Sequence, residues 1–95
     1  MGIALVNTDC PEQKFVLSQL PATIGRQPRA AVRLEDRRVS QFQCVIDAQD
    51  GDLMVMDLGS ISGTFVNGVR RALALLLNGD RLTVGGTDLV VNISQ

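Results

Sequence analysis

The sequence predicts a single all-β domain over residues 1–95, an antiparallel β-sandwich, and three observations carry that prediction. Apolar residues recur with a period of two, and helical periodicity never persists. Turn-forming dipeptides return at short intervals, leaving little chain for a crossover helix. The apolar fraction, 45% of the chain, is aliphatic, with three Phe and no Trp or Tyr. Ninety-five residues suffice for one core, closed without disulfides or metal.

In chain order, Pro21 and Pro28 punctuate the first third, so strands there are expected to be short or at an edge. Ala22-Thr23-Ile24 is a short apolar strand of this kind, closed by Gly25-Arg26. From Cys44 to Gln49, Cys44, Ile46 and Ala48 share one face and Val45, Asp47 and Gln49 the other, the alternation of a half-buried strand. Asp50-Gly51 follows as a hairpin turn, and Asn67-Gly68, Asn78-Gly79 and Gly85-Gly86 repeat the signal. Arg70 to Leu77 is rich in Ala and Leu, but it is short and lies between two Asn-Gly turns. It reads as an irregular strand pair rather than a helix. Leu82 and Val84, then Leu89, Val91 and Ile93, alternate as two final strands.

Charge is uneven. The net charge is −1, yet five of the eight arginines fall between Arg26 and Arg38, opposed there only by Glu35 and Asp36. A local basic surface on an acidic chain suits a small anionic group better than a long polyanion. With one lysine and no Trp or Tyr to stack bases, no nucleic-acid partner is expected. The chain has no His, so neither metal binding nor His-based catalysis is well supplied. Ser40 and Cys44 lack a base to activate them, and no catalytic residue, metal site or cofactor is predicted. Cys44, inside an alternating run, is expected to be a buried free thiol. The spacing alone leaves a Cys10–Cys44 disulfide open. No apolar run reaches the ~20 residues of a membrane helix, and no secretory signal pattern is present. A cytoplasmic protein without a membrane partner is the expectation.

The residues that suggest function lie in turns, where a scaffold displays chemistry. Gly25-Arg26 comes first, then Arg38-Val39-Ser40-Gln41-Phe42-Gln43. Asp57-Leu58-Gly59-Ser60-Ile61-Ser62-Gly63-Thr64-Phe65-Val66-Asn67-Gly68 follows, and Asn78-Gly79-Asp80-Arg81-Leu82 comes last. In this order and spacing they resemble the forkhead-associated (FHA) domain. That family reads G-R, S-x-x-H some 14 residues later, D-x-x-S-x-N-G-T-x-V-N-G, and then G-D-x-[IL]. The resemblance covers Ile24 to Val91, most of the chain. It implies a sandwich of about eleven short strands whose loops at one end bind phosphothreonine peptides. The implied partner is a phosphothreonine-containing protein in a Ser/Thr kinase pathway. Such domains are often one part of a larger signalling protein, so the chain being a segment of one stays open.

The chemistry of the matched residues agrees. A phosphothreonine carries a charge of about −1.5 to −2 and three acceptor oxygens. Arg26 offers a planar fork of donors, Ser40 a rotatable hydroxyl, and Gln41 a side-chain or backbone N–H. Arg38 matches a position that in some family members reads an acidic residue beyond the phosphothreonine. Gly25, Gln43, Gly63, Asn67 and Gly68 match framework positions. Three residues depart from the pattern. Gln43 replaces the motif His, which braces the loop, and Gln has the donor and acceptor for that task. Ile61 stands where a hydroxyl often reaches the phosphate, and Ser62 stands where an Asn clamps the peptide backbone. The expectation is a phosphothreonine-dependent interaction module with an intact phosphate cradle, Arg26 with Ser40, and an altered peptide grip. The alternative is a degenerate module used for phosphate-independent docking or oligomerisation.

Overall fold

A computed structural model describes all residues, 1–95. Eleven strands run β1 (Gly2–Asn7), β2 (Lys14–Val16), β3 (Ala22–Gly25), β4 (Val32–Arg33), β5 (Cys44–Gln49), β6 (Asp52–Asp57), β7 (Thr64–Val66), β8 (Val69–Arg70), β9 (Leu73–Leu76), β10 (Arg81–Val84) and β11 (Thr87–Ser94). They form a six-stranded sheet in the order β2-β1-β11-β10-β7-β8 and a five-stranded sheet in the order β4-β3-β5-β6-β9. The Arg70–Leu77 stretch holds β9 and the end of β8, as its turn brackets predict.

Turn chemistry sets the registers. Asp50 and Gly51 both take positive φ, 53° and 84°. This two-residue turn matches the right-handed twist of its flanking strands, and it pairs Gln49 with Asp52 and Cys44 with Asp57. Asn67 and Gly68 do the same, at φ 50° and 82°, between β7 and β8. Once register is set, alternation decides what is buried. Ile24, Ile46 and Val55 of one sheet face Leu5, Leu82 and Leu89 of the other, and all six are buried.

Three details differ from the sequence reading. Ala48 is exposed although it alternates with Cys44 and Ile46, because the tip of the β5–β6 hairpin projects past the core. The sandwich is not wholly antiparallel: β4 pairs with β3 in parallel, Ile24 opposite Val32 and Gly25 opposite Arg33. Parallel strands ordinarily need a crossover of a dozen residues or more. Here the connection between Gly25 and Val32, with Pro28 within it, only has to double back far enough to pair two residues at an edge. The third detail is the N-terminal strand, on which the sequence reading is silent. β1 carries no turn signature, and its place between β2 and β11, with Leu5 opposite Val91, is set by tertiary pairing.

The sandwich brings four connections together at one end. Arg26 N–H donates to the Ser40 carbonyl at 3.1 Å, joining the β3–β4 and β4–β5 loops. The Ser40 hydroxyl accepts from Ile61 N–H at 3.1 Å, which adds the β6–β7 loop. Asp36 accepts from Gly86 N–H at 2.7 Å, which adds the β10–β11 turn.

Candidate functional site

Arg26 sits immediately beyond β3, and its position depends on the glycine before it. A Cβ on Gly25 would lie 2.1 Å from the Gln41 carbonyl oxygen, so only glycine lets the β4–β5 loop close over this strand end. The loop then fixes the Arg26 side chain. Its Nε donates to the Val39 carbonyl at 2.6 Å, and the guanidinium is held half-buried with its terminal nitrogens free of protein partners. An arginine anchored through Nε presents its remaining donors as a fixed fork.

Ser40 is oriented from both sides. Its backbone N–H donates to Gln43 Oε1 at 2.9 Å. Its Oγ accepts from Ile61 N–H, which leaves the hydroxyl proton to donate outward. Arg26, Arg37, Arg38, Val39, Ser40, Ile61 and Ser62 line a surface pocket of about 210 Å³. Cationic nitrogens and a free hydroxyl proton thus converge on an opening wide enough for a tetrahedral anion.

A buried chain of hydrogen bonds holds the loops beneath the pocket. Gln43 is fully buried, and its Nε2 donates to the Gly63 carbonyl at 2.9 Å and to Thr64 Oγ1 at 3.2 Å. Thr64 Oγ1 donates onward to Asp57 Oδ1 at 2.7 Å. Asp57 Oδ2 accepts from the backbone N–H groups of Gly59 and Ser60, each at 3.0 Å, and the Ser60 hydroxyl donates to Oδ1. Burial opposes ionisation of Asp57, but the Ser60 and Thr64 hydroxyls and the two N–H groups outweigh it and hold the carboxyl below its usual range. Gln43 therefore braces one loop against the other, as its donor and acceptor allow. Gly63 has φ 93°, a backbone conformation that other residues rarely adopt, so this end of the brace favours glycine as well.

The other predicted residues take varied places. Ser62 does not present a free donor to a peptide. Its hydroxyl proton goes to the Arg38 carbonyl at 2.8 Å, so it latches two loops and keeps only acceptor capacity. Ile61 contributes its N–H to Ser40, while its side chain is 91% exposed on the pocket rim. Gln41 does not line this pocket but a neighbouring depression, and its backbone N–H has no protein acceptor. Arg38 is tethered to Asp36 through Nε at 3.2 Å, an exposed pair worth little in stability, and its terminal nitrogens lie over Gly86. Burial also opposes ionisation of Asp36. The N–H groups of Arg38 and Gly86, the Thr87 hydroxyl and the Arg38 side chain outweigh it, so this carboxyl too is held low. Asn67 and Gly68 stand at the far end of β7 from the pocket. Asn67 accepts from Arg81 N–H at 2.9 Å and donates to Asp80 at 3.0 Å, which makes it a framework residue.

Sequence reasoning did not single out Arg37, and it read Asp57, Ser60 and Thr64 only as members of the Asp57–Gly68 pattern, with no role given to each. Asp57 and Ser60 carried a further signal, since an Asp with a hydroxyl residue three positions on is a side-chain-closed turn. Arg37 carried none, because its neighbour in sequence does not reveal which way a loop arginine points. Both cysteines are free. Burial pushes the Cys44 thiol up to about 12.

Comparison with known proteins places these features in context. A family model described as the FHA domain matches residues 22–85. The oxoglutarate dehydrogenase inhibitor of Corynebacterium diphtheriae is 36% identical over 77 residues, covering 81% of this chain and 54% of that protein. The glycogen accumulation regulator GarA of Mycolicibacterium smegmatis is 35% identical over 77 residues, covering 81% of this chain and 49% of its own. The chain thus spans about half the length of these curated relatives. Among solved structures, one from a study of phosphothreonine-dependent FHA domain interactions superposes with a TM-score of 0.93 at 26% identity, covering 100% of this chain and 99% of that one. The FhaA FHA domain, solved with the intracellular domain of Rv3910, gives a TM-score of 0.88 at 28% identity, covering 95% of this chain and 99% of that one.

Proposed function

The chain belongs to the FHA domain family, and on that premise we propose that it is a phosphothreonine-dependent protein-interaction module in Ser/Thr kinase signalling, a binding domain and not an enzyme. One observation carries the reading. Arg26 is anchored through Nε on the Val39 carbonyl, and Ser40 is oriented by Ile61 N–H, so both aim unspent donors into the same pocket. Neither group needs to reorganise to receive a phosphate, which lowers the ordering cost of binding.

The chemistry favours a dianion. Each hydrogen bond to a charged group contributes about 1.5–3 kcal/mol, which is roughly ten- to hundredfold in affinity. Removing the Arg26 fork therefore removes most of the phosphate preference. The measurement is titration of a phosphothreonine peptide library against wild type, Arg26→Ala and Ser40→Ala, with unphosphorylated peptides as controls. Preference for phosphorylated peptides, lost in Arg26→Ala, is the expected result; equal binding of both peptide forms by the wild type would sink the reading.

A second reading, phosphate-independent docking, draws on Ser62 and Ile61. Ser62 has spent its donor on Arg38, and the exposed Ile61 side chain offers apolar contact at the pocket rim. It requires partner binding to survive Arg26→Ala unchanged, so the same variant separates the two.

A further inference from the structure

The two sheets of the sandwich end in four edge strands, β2 and β8 in one, β4 and β9 in the other. An edge offers unpaired backbone N–H and C=O groups to any extended strand, and proteins blunt it by shortening the strand or charging it. Three of these edges are blunted. β2 carries Lys14, β4 Arg33 and β8 Arg70, and none is longer than three residues. β9, Leu73-Ala74-Leu75-Leu76, is the longest of the four and has no charge, no proline and no glycine. Its outward side chains, Leu73 and Leu75, with Leu77 just beyond, are exposed at 51%, 42% and 58%.

The ladder identifies the open groups. Asp57 N–H donates to the Ala72 carbonyl at 2.9 Å, so in this antiparallel pair every second residue onward, Ala74 and Leu76, bonds to β6. Leu73 and Leu75 turn their backbone groups to the free side. There the Leu73 carbonyl accepts from Arg71 Nη2 at 3.2 Å, while the Leu73 N–H and both groups of Leu75 have no partner within the chain. The segment is also symmetric about Leu75. Leu73 and Leu77 stand on either side of it, Arg70 and Arg71 lie at one end, and Asp80 lies at the other. None of these charged groups joins an ion pair within the chain.

The geometry points to a second copy of this chain as the occupant of the edge: β9 pairs antiparallel with the partner's β9 about a two-fold axis at Leu75, joining the two five-stranded sheets into one. Leu75 then faces the partner's Leu75, and the two exchange both backbone bonds. Leu73 N–H reaches the partner's Leu77 carbonyl, whereas Leu77 N–H is already spent on Asp80 at 2.8 Å. Opposed side chains in such a ladder lie about 5 Å apart, so the exposed leucines of the two copies cover one another. Antiparallel pairing also carries Arg70 and Arg71 toward the partner's Asp80. That end-to-end complementarity favours a second copy over an unrelated strand. The interface is one strand wide, well below the roughly 1,600 Å² of a standard one, so the dimer depends on concentration. Growth stops at two, because the other edge of each sheet is β4 with its Arg33. The phosphate pocket draws no residue from β9, so both pockets stay open.

The test is sedimentation velocity on the 95-residue chain from about 10 μM to about 1 mM, with backbone amide exchange measured at both limits. A reversible rise from monomer to dimer is expected. At high concentration the Leu73 and Leu75 amides exchange more slowly, while those of Ala74 and Leu76, bonded to β6 in either state, change less. Leu75→Lys sets like charges on the axis and is expected to weaken the dimer by about tenfold or more. The monomer still folds, since the side chain replaced is largely exposed. Met56→Lys puts the same charge on the outer face one strand in from the edge, opposite Leu73, and is expected to leave the dimer in place. A monomer throughout the range overturns the proposal, and so does assembly beyond a dimer. A dimer lost in Met56→Lys but kept in Leu75→Lys also overturns it, because the copies then pack face to face. If Leu75→Lys fails to fold, the wild-type exchange pattern decides: equal slowing along β9, or none, overturns the edge pairing. Phosphopeptide binding is measured separately and stands or falls on Arg26 and Ser40, whichever way the dimer resolves.

Discussion

Replacing Gln43 by Ala tests the link between the buried framework and the exposed pocket. Gln43 is fully buried and serves three partners: it accepts from Ser40 N–H and donates to the Gly63 carbonyl and to Thr64 Oγ1. At about 1 kcal/mol net for each neutral hydrogen bond, their loss costs about 3 kcal/mol, and the vacated volume adds to that. A domain of this size has a total stability of roughly 5–14 kcal/mol, so the variant still folds. Its melting temperature is expected to fall by about 12–24 °C. Urea unfolding should show a lower midpoint with an unchanged slope. Phosphopeptide affinity should fall as well, by tenfold or more, because Ser40 loses the bond that orients its backbone although neither Arg26 nor the Ser40 hydroxyl has been touched. Gln43→Leu separates polar from steric causes, since it keeps most of the volume and none of the bonds. A loss below about 1 kcal/mol in Gln43→Ala, or wild-type stability in Gln43→Leu, would refute the brace.

Three further outcomes follow from the same geometry. Asp57 and Asp36 have folded pKa values below their unfolded ones. Their stabilising contribution is therefore complete above the ordinary aspartate value of about 3.9 and lost as pH falls through the lowered folded values. Denaturant midpoints measured down to pH 2 should decline over that acid window, and Asp57→Asn should flatten the decline while lowering the midpoint at neutral pH. Gly25→Ala places a Cβ against the Gln41 backbone, so it should destabilise by about 1–3 kcal/mol and weaken phosphopeptide binding; wild-type affinity in that variant would contradict the close approach. A thiol reagent at pH 8 should titrate one cysteine in the folded protein, Cys10, and two after unfolding, because Cys44 is buried with its thiol raised to about 12. Rapid reaction of both thiols in the folded state would count against that burial.

The sequence by itself determined the fold class and many of the strands and turns along the chain. Period-two alternation and dipeptides such as Asp50-Gly51 and Asn67-Gly68 act locally, and a residue that must take positive φ is recognisable wherever it stands. Gly25-Arg26, Ser40 and the Asp57–Gly68 segment were legible for a related reason: their spacing reflects the loop lengths that deliver them to one end of the sandwich. Only the tertiary structure decided how donors are spent. Ser62 reads as a partial stand-in for the clamping Asn until its hydroxyl is seen committed to the Arg38 carbonyl, and Gln41 reads as a donor through side chain or backbone until the residue is found lining the next hollow with its backbone N–H unpartnered. Arg37 looks like one charge in a basic run until its neighbours' carboxylates are found paired elsewhere. The parallel β3–β4 pair and the place of β1 beside β11 were likewise invisible. The physical reason is common to these cases. Local conformation follows from a residue and its immediate neighbours, whereas the partner of a side-chain donor is set by segments tens of residues away, as with Asp36 and Gly86.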